Sequence, residues 1–361
     1  MAIYDGLALD GGYVNETDFS PWVEDALNEL EFVTGDVSTP YGALRASLGY
    51  PEPWTIKYVE IGNEDWLAGG DPGYQSYKDY RFPLLNDAIS SKYPDIQIIA
   101  SPSVFDNMTI PAPAAGDYHP YREPDNFYNE FHKFDNLTAD NLTLVGEFSS
   151  THPNGGTKWD GPLQAFPWWI GSVAEAIFMI STERNGDRII GSTYAPILRN
   201  MNRWQWSVCM VEFEADTSKT TLSTDYHVFK AISTNPITHT LPTTPGTNTS
   251  SLFFVAGMNE DSGARIFKAA NYNTTMHANT PVSVSFDGVD EGATAELTLL
   301  TGSDGPYGYN DPAKRNNVVV EDVQTLEASE DGAFEWSMPE LSVAVLVVEG
   351  GYKYSKKRMV E

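Results

Sequence analysis

The first 200 residues alternate short apolar segments with amphipathic ones, and this alternation constrains the fold more than any other feature of the sequence. The apolar segments are continuous, as expected for strands that are buried on both faces. Several segments between them have apolar residues at three- and four-residue spacing, which predicts helices. Repeated strand and helix units predict a parallel sheet or barrel. The predicted strands are Ala2–Leu9, Lys57–Ile61, Ile96–Pro102, Gly116–Tyr121, Leu142–Phe148 and Ile189–Ala195.

The sequence predicts three helices in this part of the chain, and two of them have recognisable start or stop signals. The first uses Ser20 as its N-cap, with a proline directly after it, and Gly35 is suited to end it. A second begins at Pro167. The segment Tyr74–Lys92 also has helical spacing, and we expect a kink at Pro83 because proline lacks the amide proton that a helix needs.

From about residue 225 the pattern changes to short strand-like segments separated by Gly, Asn, Asp and Ser. This pattern predicts a C-terminal β-sandwich. The expected organisation is therefore a barrel-type domain over residues 1–224, a sandwich over 225–350 and a polar tail over 351–361. The predicted sandwich strands are Ser251–Met258, Arg265–Tyr272, Val282–Phe286, Ala295–Leu300, Asn317–Glu321, Phe334–Met338 and Ser342–Val348.

Composition argues against several classes of partner. The chain has 22 Lys and Arg against 50 Asp and Glu, and its net charge of −28 disfavours nucleic acid and anionic membranes. It has no run of 18 apolar residues of the kind that spans a bilayer. The single cysteine, Cys209, excludes an intrachain disulfide and a cysteine-based metal site. No metal-ligand spacing occurs among His132, His152, His227, His239 and His277, and we interpret them as residues without a functional role.

The frequency of glycosylation sequons indicates a compartment. Six sequons in one chain predict a secreted glycoprotein, although no signal peptide is recognisable at the N-terminus. We therefore expect an extracellular protein whose signal lies upstream of Met1. The sequons begin at Asn15, Asn107, Asn136, Asn141, Asn248 and Asn273.

Two carboxylates lie at the ends of predicted strands. Glu64 follows the strand Lys57–Ile61 in "YVEIGNEDW", and Glu147 lies near the end of Leu142–Phe148 in "LTLVGEFSS". Two further predicted strands lie between them, so the two residues are three β/α units apart. The C-terminal strand ends form the active site of a (β/α)₈ barrel, where strands three apart face one another. Paired carboxylates at a sugar-sized gap predict glycoside hydrolysis.

The neighbouring side chains are suited to carbohydrate binding. Asn63 can hydrogen-bond a substrate hydroxyl. His119 and Tyr121, in "DYHPY", are both candidates to hold the Glu147 carboxylate, although either residue could instead serve packing alone. Flat apolar faces for sugar rings are available on Trp66, Trp159, Trp168, Trp204 and Trp206, of which Trp66 and Trp204 could equally be core residues.

The segments "YVEIGNEDW", "VGEFSS" and "YAPILRNMNRWQW", with the long stretch from Val23 to Trp66, resemble the fungal α-L-arabinofuranosidases of glycoside hydrolase family 51. The resemblance implies that Glu64 is the acid/base and Glu147 the nucleophile. It further implies that Asn63 binds the hydroxyl beside the anomeric carbon and that Tyr121 donates a hydrogen bond to the nucleophile.

The same resemblance implies a retaining enzyme that releases terminal non-reducing α-L-arabinofuranosyl residues from arabinoxylan, arabinan and their oligosaccharides. This mechanism needs neither a metal nor an organic cofactor. The two carboxyl groups would then lie about 5 Å apart. It also implies an N-terminally truncated chain with about six of the eight strands of a TIM barrel. Two alternatives are another retaining barrel glycosidase, of the xylanase type, and an inactive or sugar-binding fragment. The sequence does not indicate an oligomeric state.

Overall fold

The computed structural model describes residues 1–138, 140, 142–203, 206–246, 251–272 and 279–350. The chain forms two compact units that interleave along the sequence. Unit 1 comprises residues 1–119, 137–146 and 187–191, and unit 2 comprises residues 120–136, 147–186 and those from 192 onward. The predicted domain limits at residues 224 and 350 stay a prediction.

The described residues form short strands and helices throughout both units. The helices are α1 Ser20–Thr34, α2 Pro40–Ser47, α3 Asp65–Ala68, α4 Gly70–Ser76, α5 Phe82–Lys92, α6 Pro124–Asn129, α7 Trp169–Arg184 and α8 Thr224–Ser233. The strands up to residue 240 are β1 Ala2–Ile3, β2 Tyr58–Ile61, β3 Gln97–Ala100, β4 Ala115–Asp117, β5 Tyr121–Arg122, β6 Thr143–Ser150, β7 Ile189–Tyr194, β8 Leu198–Asn200, β9 Val211–Phe213, β10 Thr221–Leu222 and β11 His239–Thr240. The remaining strands are β12 Leu252–Met258, β13 Arg265–Asn271, β14 Thr280–Ser285, β15 Thr294–Gly302, β16 Val319–Glu327, β17 Ala333–Met338 and β18 Ser342–Val348.

Six parallel strands form a half-barrel, which confirms the predicted incomplete TIM barrel. They pair in the order β1, β2, β3, β4, β6 and β7, and the short strand β5 pairs with the last residues of β6. Val59 and Ile61 of β2 are fully buried in the apolar cluster of unit 1, together with Leu85 and Ile89 of α5. The continuous apolar character of these strands therefore reflects burial, as the sequence predicted.

Two predicted strands of the half-barrel differ clearly from the structure in their limits, and its other strands differ at their ends by at most two residues. The prediction of one strand over Gly116–Tyr121 is wrong, because β4 ends at Asp117 and β5 begins at Tyr121. Pro120 lies between them and has no amide proton to donate to a strand ladder. The first strand is also shorter than Ala2–Leu9, since β1 covers only its first two residues.

The helix predictions are close but differ at the ends. Helix α1 spans Ser20–Thr34 and is followed by Gly35, but its N-cap is Phe19, without a side-chain capping bond. Helix α7 begins two residues after Pro167. The kink expected at Pro83 takes the form of a π-helical turn, Tyr77–Arg81, between α4 and α5. This turn accommodates the break that proline imposes on regular α-helical hydrogen bonding.

The C-terminal part of unit 2 is rich in antiparallel sheets. All seven predicted strands are present, and β16 is longer than predicted. Six strands pair in the order β11, β12, β13, β18, β15 and β16, and β14 pairs with β17. Phe334, Leu346 and other buried residues form one apolar cluster here. Helix α7 packs against α6, α8, β12 and β13, and most of its side chains are buried.

Within the described part of the chain, we find no helix that combines the length and apolar character needed to cross a bilayer.

Candidate active site

Glu64 lies in a tight turn directly after β2 in unit 1. Its backbone is left-handed, with φ 49° and ψ 45°, a conformation that costs a non-glycine residue about 1 kcal/mol or more. Gly62 also has positive φ, and a Cβ there would lie 2.3 Å from Oδ2 of Asp65. The turn therefore holds the Glu64 side chain at the carboxyl end of β2, where its exposure is 24%.

A buried charge network fixes the residue that follows Glu64. Nη2 of Arg81 lies 2.8 Å from Oδ1 of Asp65, and Nη1 of Arg81 contacts Asp5. All three side chains are almost entirely inaccessible to solvent. The amide of Asp65 also donates to Oγ of Ser101 at 3.3 Å. Because a buried charge is stable only when it is paired, this network stabilises the strained turn.

His119 connects Glu64 to a second carboxylate in unit 1. Its Nδ1 lies 3.1 Å from Oε1 of Glu64, and its Nε2 lies 2.7 Å from Oδ2 of Asp117. Oδ1 of Asp117 accepts the amide proton of Gly146 at 2.7 Å. The ring of His119 also contacts Trp66 edge to face, at 6.4 Å between centroids. His119 and Asp117 are buried, so their relative orientation is fixed.

These contacts limit the positions that a proton can take around Glu64. A carboxylate at Asp117 requires a proton on Nε2 of His119. A neutral His119 then presents the lone pair of Nδ1 to Glu64, and only a protonated Glu64 completes that hydrogen bond. An imidazolium would instead donate to an ionised Glu64. The arrangement can therefore hold one proton between Glu64 and His119 in either position, as a group that alternates between acid and base requires.

Glu147 occupies a different environment, in unit 2. It lies within the regular strand β6 rather than after it, and the hydroxyl of Tyr121 donates to its Oε2. Tyr121 belongs to β5, which pairs with β6 through Tyr121 and Ser149. Strand pairing therefore brings the phenol to the carboxylate. A charge-assisted hydrogen bond of this kind orients a carboxylate.

Aromatic rings surround Tyr121. Its ring lies 5.0 Å from that of Trp206 and 6.1 Å from that of Trp159, centroid to centroid. The ring of His152 meets Trp159 edge to face at 4.9 Å. Trp159 is 56% exposed and offers a flat apolar face of the kind on which sugar rings stack. Burial lowers the pKa of His152, so this ring is favoured in its neutral form.

The structure accounts for most of the predicted site residues, but their functional roles stay predictions. Asn63 is exposed beside Glu64, and Trp66 packs on His119. Trp204 lies outside the described residues. Sequence reasoning missed Asp117 as a site residue, although its place two residues before His119 in "DYHPY" is a usable signal. It also interpreted His152 as a residue without function.

Comparison with known proteins identifies the family. The profile of the α-L-arabinofuranosidase 1 domain matches residues 1–139, and that of the α-L-arabinofuranosidase C-terminal domain matches residues 146–342. The chain belongs to the α-L-arabinofuranosidase family. The resemblance to glycoside hydrolase family 51 that the sequence motifs indicated is thereby confirmed.

Several family members show how much of a longer protein this chain covers. It is 36% identical to α-L-arabinofuranosidase A of Aspergillus niger over 96% of its own length and 52% of the relative's. A probable α-L-arabinofuranosidase A of Emericella nidulans is 31% identical, with 66% of that protein covered. The chain thus spans about half the length of the Aspergillus niger relative it matches.

Solved structures of the family have the same fold. An arabinose-bound GH51 α-L-arabinofuranosidase superposes with a TM-score of 0.83 at 29% identity, over 97% of this chain and 54% of that one. The GH51 arabinofuranosidase of Xanthomonas axonopodis pv. citri superposes with a TM-score of 0.67 at 17% identity, which shows the fold alone.

Proposed function

We propose that this chain carries the catalytic pair of a retaining glycosidase that releases terminal non-reducing α-L-arabinofuranosyl residues. The observation that carries the proposal is the pairing of each glutamate with a distinct partner, Glu64 with His119 and Glu147 with Tyr121, in a chain of this family. One glutamate is placed to exchange a proton and the other is oriented as an anion. Retaining glycosidases need this division of roles.

In the proposed reaction, Glu147 attacks the anomeric carbon and the glycosidic C–O bond breaks. The proton of Glu64 passes to the departing oxygen. Water then gives a proton to Glu64 and attacks the anomeric carbon, and the ester bond to Glu147 breaks. Tyr121 orients the attacking carboxylate through Oε2, and Asn63 binds the hydroxyl beside the reacting carbon. We propose arabinoxylan, arabinan and their oligosaccharides as substrates.

The decisive experiment measures aryl release from a 4-nitrophenyl α-L-arabinofuranoside by residues 1–361, with circular dichroism to verify folding. Glu147→Gln should lower turnover by at least about 10³-fold, because the attacking carboxylate is lost. Glu335→Gln, an exposed change of the same type in unit 2, should leave turnover unaltered. A folded chain without turnover would refute the proposal and favour a sugar-binding fragment, which calorimetry with arabino-oligosaccharides would detect.

Glu64→Ala separates the acid role from the nucleophile role. The variant should keep most of its activity on the aryl glycoside, whose leaving group needs no proton, and lose activity on arabinan. Equal losses on both substrates would remove Glu64 from the acid role. Proton NMR of the first-formed sugar should show retention of configuration, and inversion would exclude Glu147 as a nucleophile.

We also propose that the protein is extracellular, as its sequons suggest. The three sequons within the described residues, at Asn15, Asn107 and Asn136, have exposed asparagine side chains that a glycosyltransferase could reach. Treatment with an endoglycosidase should therefore lower the apparent mass of the protein purified from its native source.

A further inference from the structure

Unit 2 contains a buried pair of carboxyl groups that the proposed reaction does not use. Glu175 lies in the middle of α7, and Asp225 lies in the first turn of α8. Their exposures are 0% and 1%, and their side chains are within hydrogen-bonding reach of each other. Two ionised carboxylates without intervening solvent would repel strongly, so this arrangement needs a physical explanation.

The hydrogen bonds around Asp225 are those of an anion. Oγ of Ser172 donates to Oδ1 of Asp225 at 2.5 Å, and the hydroxyl of Tyr194 donates to Oδ2 at 2.6 Å. The hydroxyl of Ser172 comes from α7 and that of Tyr194 from β7, so both neighbouring elements supply protons to this one carboxylate. Asp225 therefore acts as the acceptor of the pair.

Glu175 has a different set of partners. Its Oε1 accepts the amide proton of Ser150 at 2.5 Å, whereas its Oε2 meets no donor among the described residues. An acceptor without a donor, in a side chain that excludes solvent, is costly. A proton on Oε2 removes this cost, because the resulting hydroxyl can donate to Asp225. We propose that Glu175 and Asp225 share one proton at neutral pH, with Glu175 as the donor and Asp225 as the acceptor.

The other groups that face the pair favour the shared proton. Tyr194 and Cys209 are weak acids and neutral at this pH, and burial raises the pKa of Glu212 of β9 to about 7. The nearby cation, Arg199 of β8, acts on Cys209 and Glu212. Burial, and then the charge of Asp225, raises the pKa of Glu175, and burial raises the pKa of Asp225.

The carboxyl pair is linked by a hydrogen bond to β6, the strand that carries Glu147. Ser150 lies three residues after Glu147 on β6, and its amide is bonded to Glu175. The hydrogen bonds of the two carboxyl groups thus connect β6, α7, β7 and α8, and the shared proton links the two carboxyl groups to each other. Loss of that proton at high pH leaves two buried charges and weakens the attachment of the end of β6. This device does not depend on the proposed function.

The sign of the pH effect follows from linkage. The folded state of unit 2 holds this proton more tightly than the unfolded chain, where a glutamate titrates near 4.5. The stabilisation is therefore complete below about pH 4.5 and is lost as the pH rises towards the folded-state pKa. Between these two pKa values each unit rise in pH should lower the melting temperature by about 3 °C.

Glu175→Gln tests the proposal, because the amide keeps both hydrogen bonds and cannot ionise. Thermal unfolding of residues 1–361 should be compared between about pH 5 and pH 8. The wild-type protein should lose more melting temperature over this range than Glu175→Gln, and the exposed control Glu335→Gln should follow the wild-type curve. Parallel curves for wild type and Glu175→Gln would overturn the proposal.

A second variant, Asp225→Asn, provides an independent test if Glu175→Gln does not fold. Asp225→Asn removes the charge that opposes ionisation of Glu175 and should also flatten the pH dependence. A slope equal to that of wild type would contradict the proposal. If neither variant folds, the wild-type curve decides, because a melting temperature that stays constant or rises from about pH 5 to pH 8 is incompatible with a shared proton.

Discussion

The two candidate catalytic glutamates are held in place by opposite means. Glu64 lies in a left-handed turn whose backbone is strained, and the next residue is fixed by buried charges. Glu147 lies in a regular strand, and the next residue, Phe148, is fully buried. Phe148 packs against the aromatic rings of Phe127 and Phe178, at 6.1 and 5.1 Å between centroids.

This difference separates two ways of orienting a carboxylate. A strand in a packed sheet fixes a side chain through repeated backbone hydrogen bonds and apolar contacts, which change little with pH or salt. A strained turn needs strong local interactions, and here these are electrostatic. We therefore expect the surroundings of Glu64 to respond to charge and pH, and those of Glu147 to respond to the volume of packed side chains.

The largest effect should come from removing the support next to each glutamate. Arg81→Met leaves Asp5 and Asp65 buried without their cation and should lower the free energy of unfolding by about 3–5 kcal/mol. Phe148→Ala should cost a similar amount, about 3–5 kcal/mol, through loss of packing. Urea unfolding measures both variants, and Arg203→Met, at an exposed position, serves as the control.

The pH dependence of these two losses distinguishes their causes. The cost of Arg81→Met should shrink as the pH falls below about 8, the raised pKa of Asp5, because a neutral carboxyl needs no cation. The cost of Phe148→Ala should stay nearly constant. If both costs changed with pH in the same way, the contrast between electrostatic and packing support would fail.

Asp5→Asn should produce a smaller, pH-dependent effect. Burial, and then the charge of Asp65, raises the pKa of Asp5, and Arg81 only partly opposes this. A raised folded-state pKa means that stability is present at low pH and is lost as the pH increases. Between about pH 5 and pH 7 wild type should lose up to about 1.4 kcal/mol per pH unit from this group, and Asp5→Asn should not. Urea unfolding at several pH values would reveal a steeper slope in wild type, and equal slopes would refute this assignment.

The smallest effect concerns the difference in stability between a glycine and an alanine variant, which should have opposite signs at the two glutamate positions. Glycine tolerates a left-handed backbone, so Glu64→Gly should be more stable than Glu64→Ala by about 1 kcal/mol. In a strand the preference reverses, and Glu147→Gly should be less stable than Glu147→Ala by about 0.5–1 kcal/mol. Each comparison holds the loss of the carboxylate constant. Differences of the same sign at both positions would show that the turn at Glu64 is not strained in solution.

The sequence predicted the elements of this fold better than their ends. Strands such as β2 and β6 were recognisable because burial on both faces requires continuous apolar residues. The break between β4 and β5 was not recognised, although Pro120 lies within the predicted strand. The interruption depends on the missing amide proton of Pro120, which cannot donate a hydrogen bond to a neighbouring strand. The strand that would have accepted this hydrogen bond is known only once the strands have paired.

In the candidate site, the sequence predicted only those residues whose type is unusual for their position in the pattern. Glu64 and Glu147 were found because acidic residues are unexpected at the ends of apolar strands. The role of Asp117 depends on where a buried carboxylate points after the strands have paired, and periodicity does not encode that direction. The left-handed backbone of Glu64 was likewise invisible, since no glycine or asparagine marks this position.

Gly146, immediately before Glu147, limits which mutations this protein can accept. A Cβ at this position would lie between 2.4 and 2.8 Å from the carboxyl group of Asp117, so even alanine would displace that group. In a saturation library assayed for activity, position 146 should accept only glycine, although glycine contributes no functional group to the reaction. Variants at position 146 should regain function only when a second substitution, at position 117, replaces Asp117 with a shorter side chain. Substitutions at the two positions should therefore occur together.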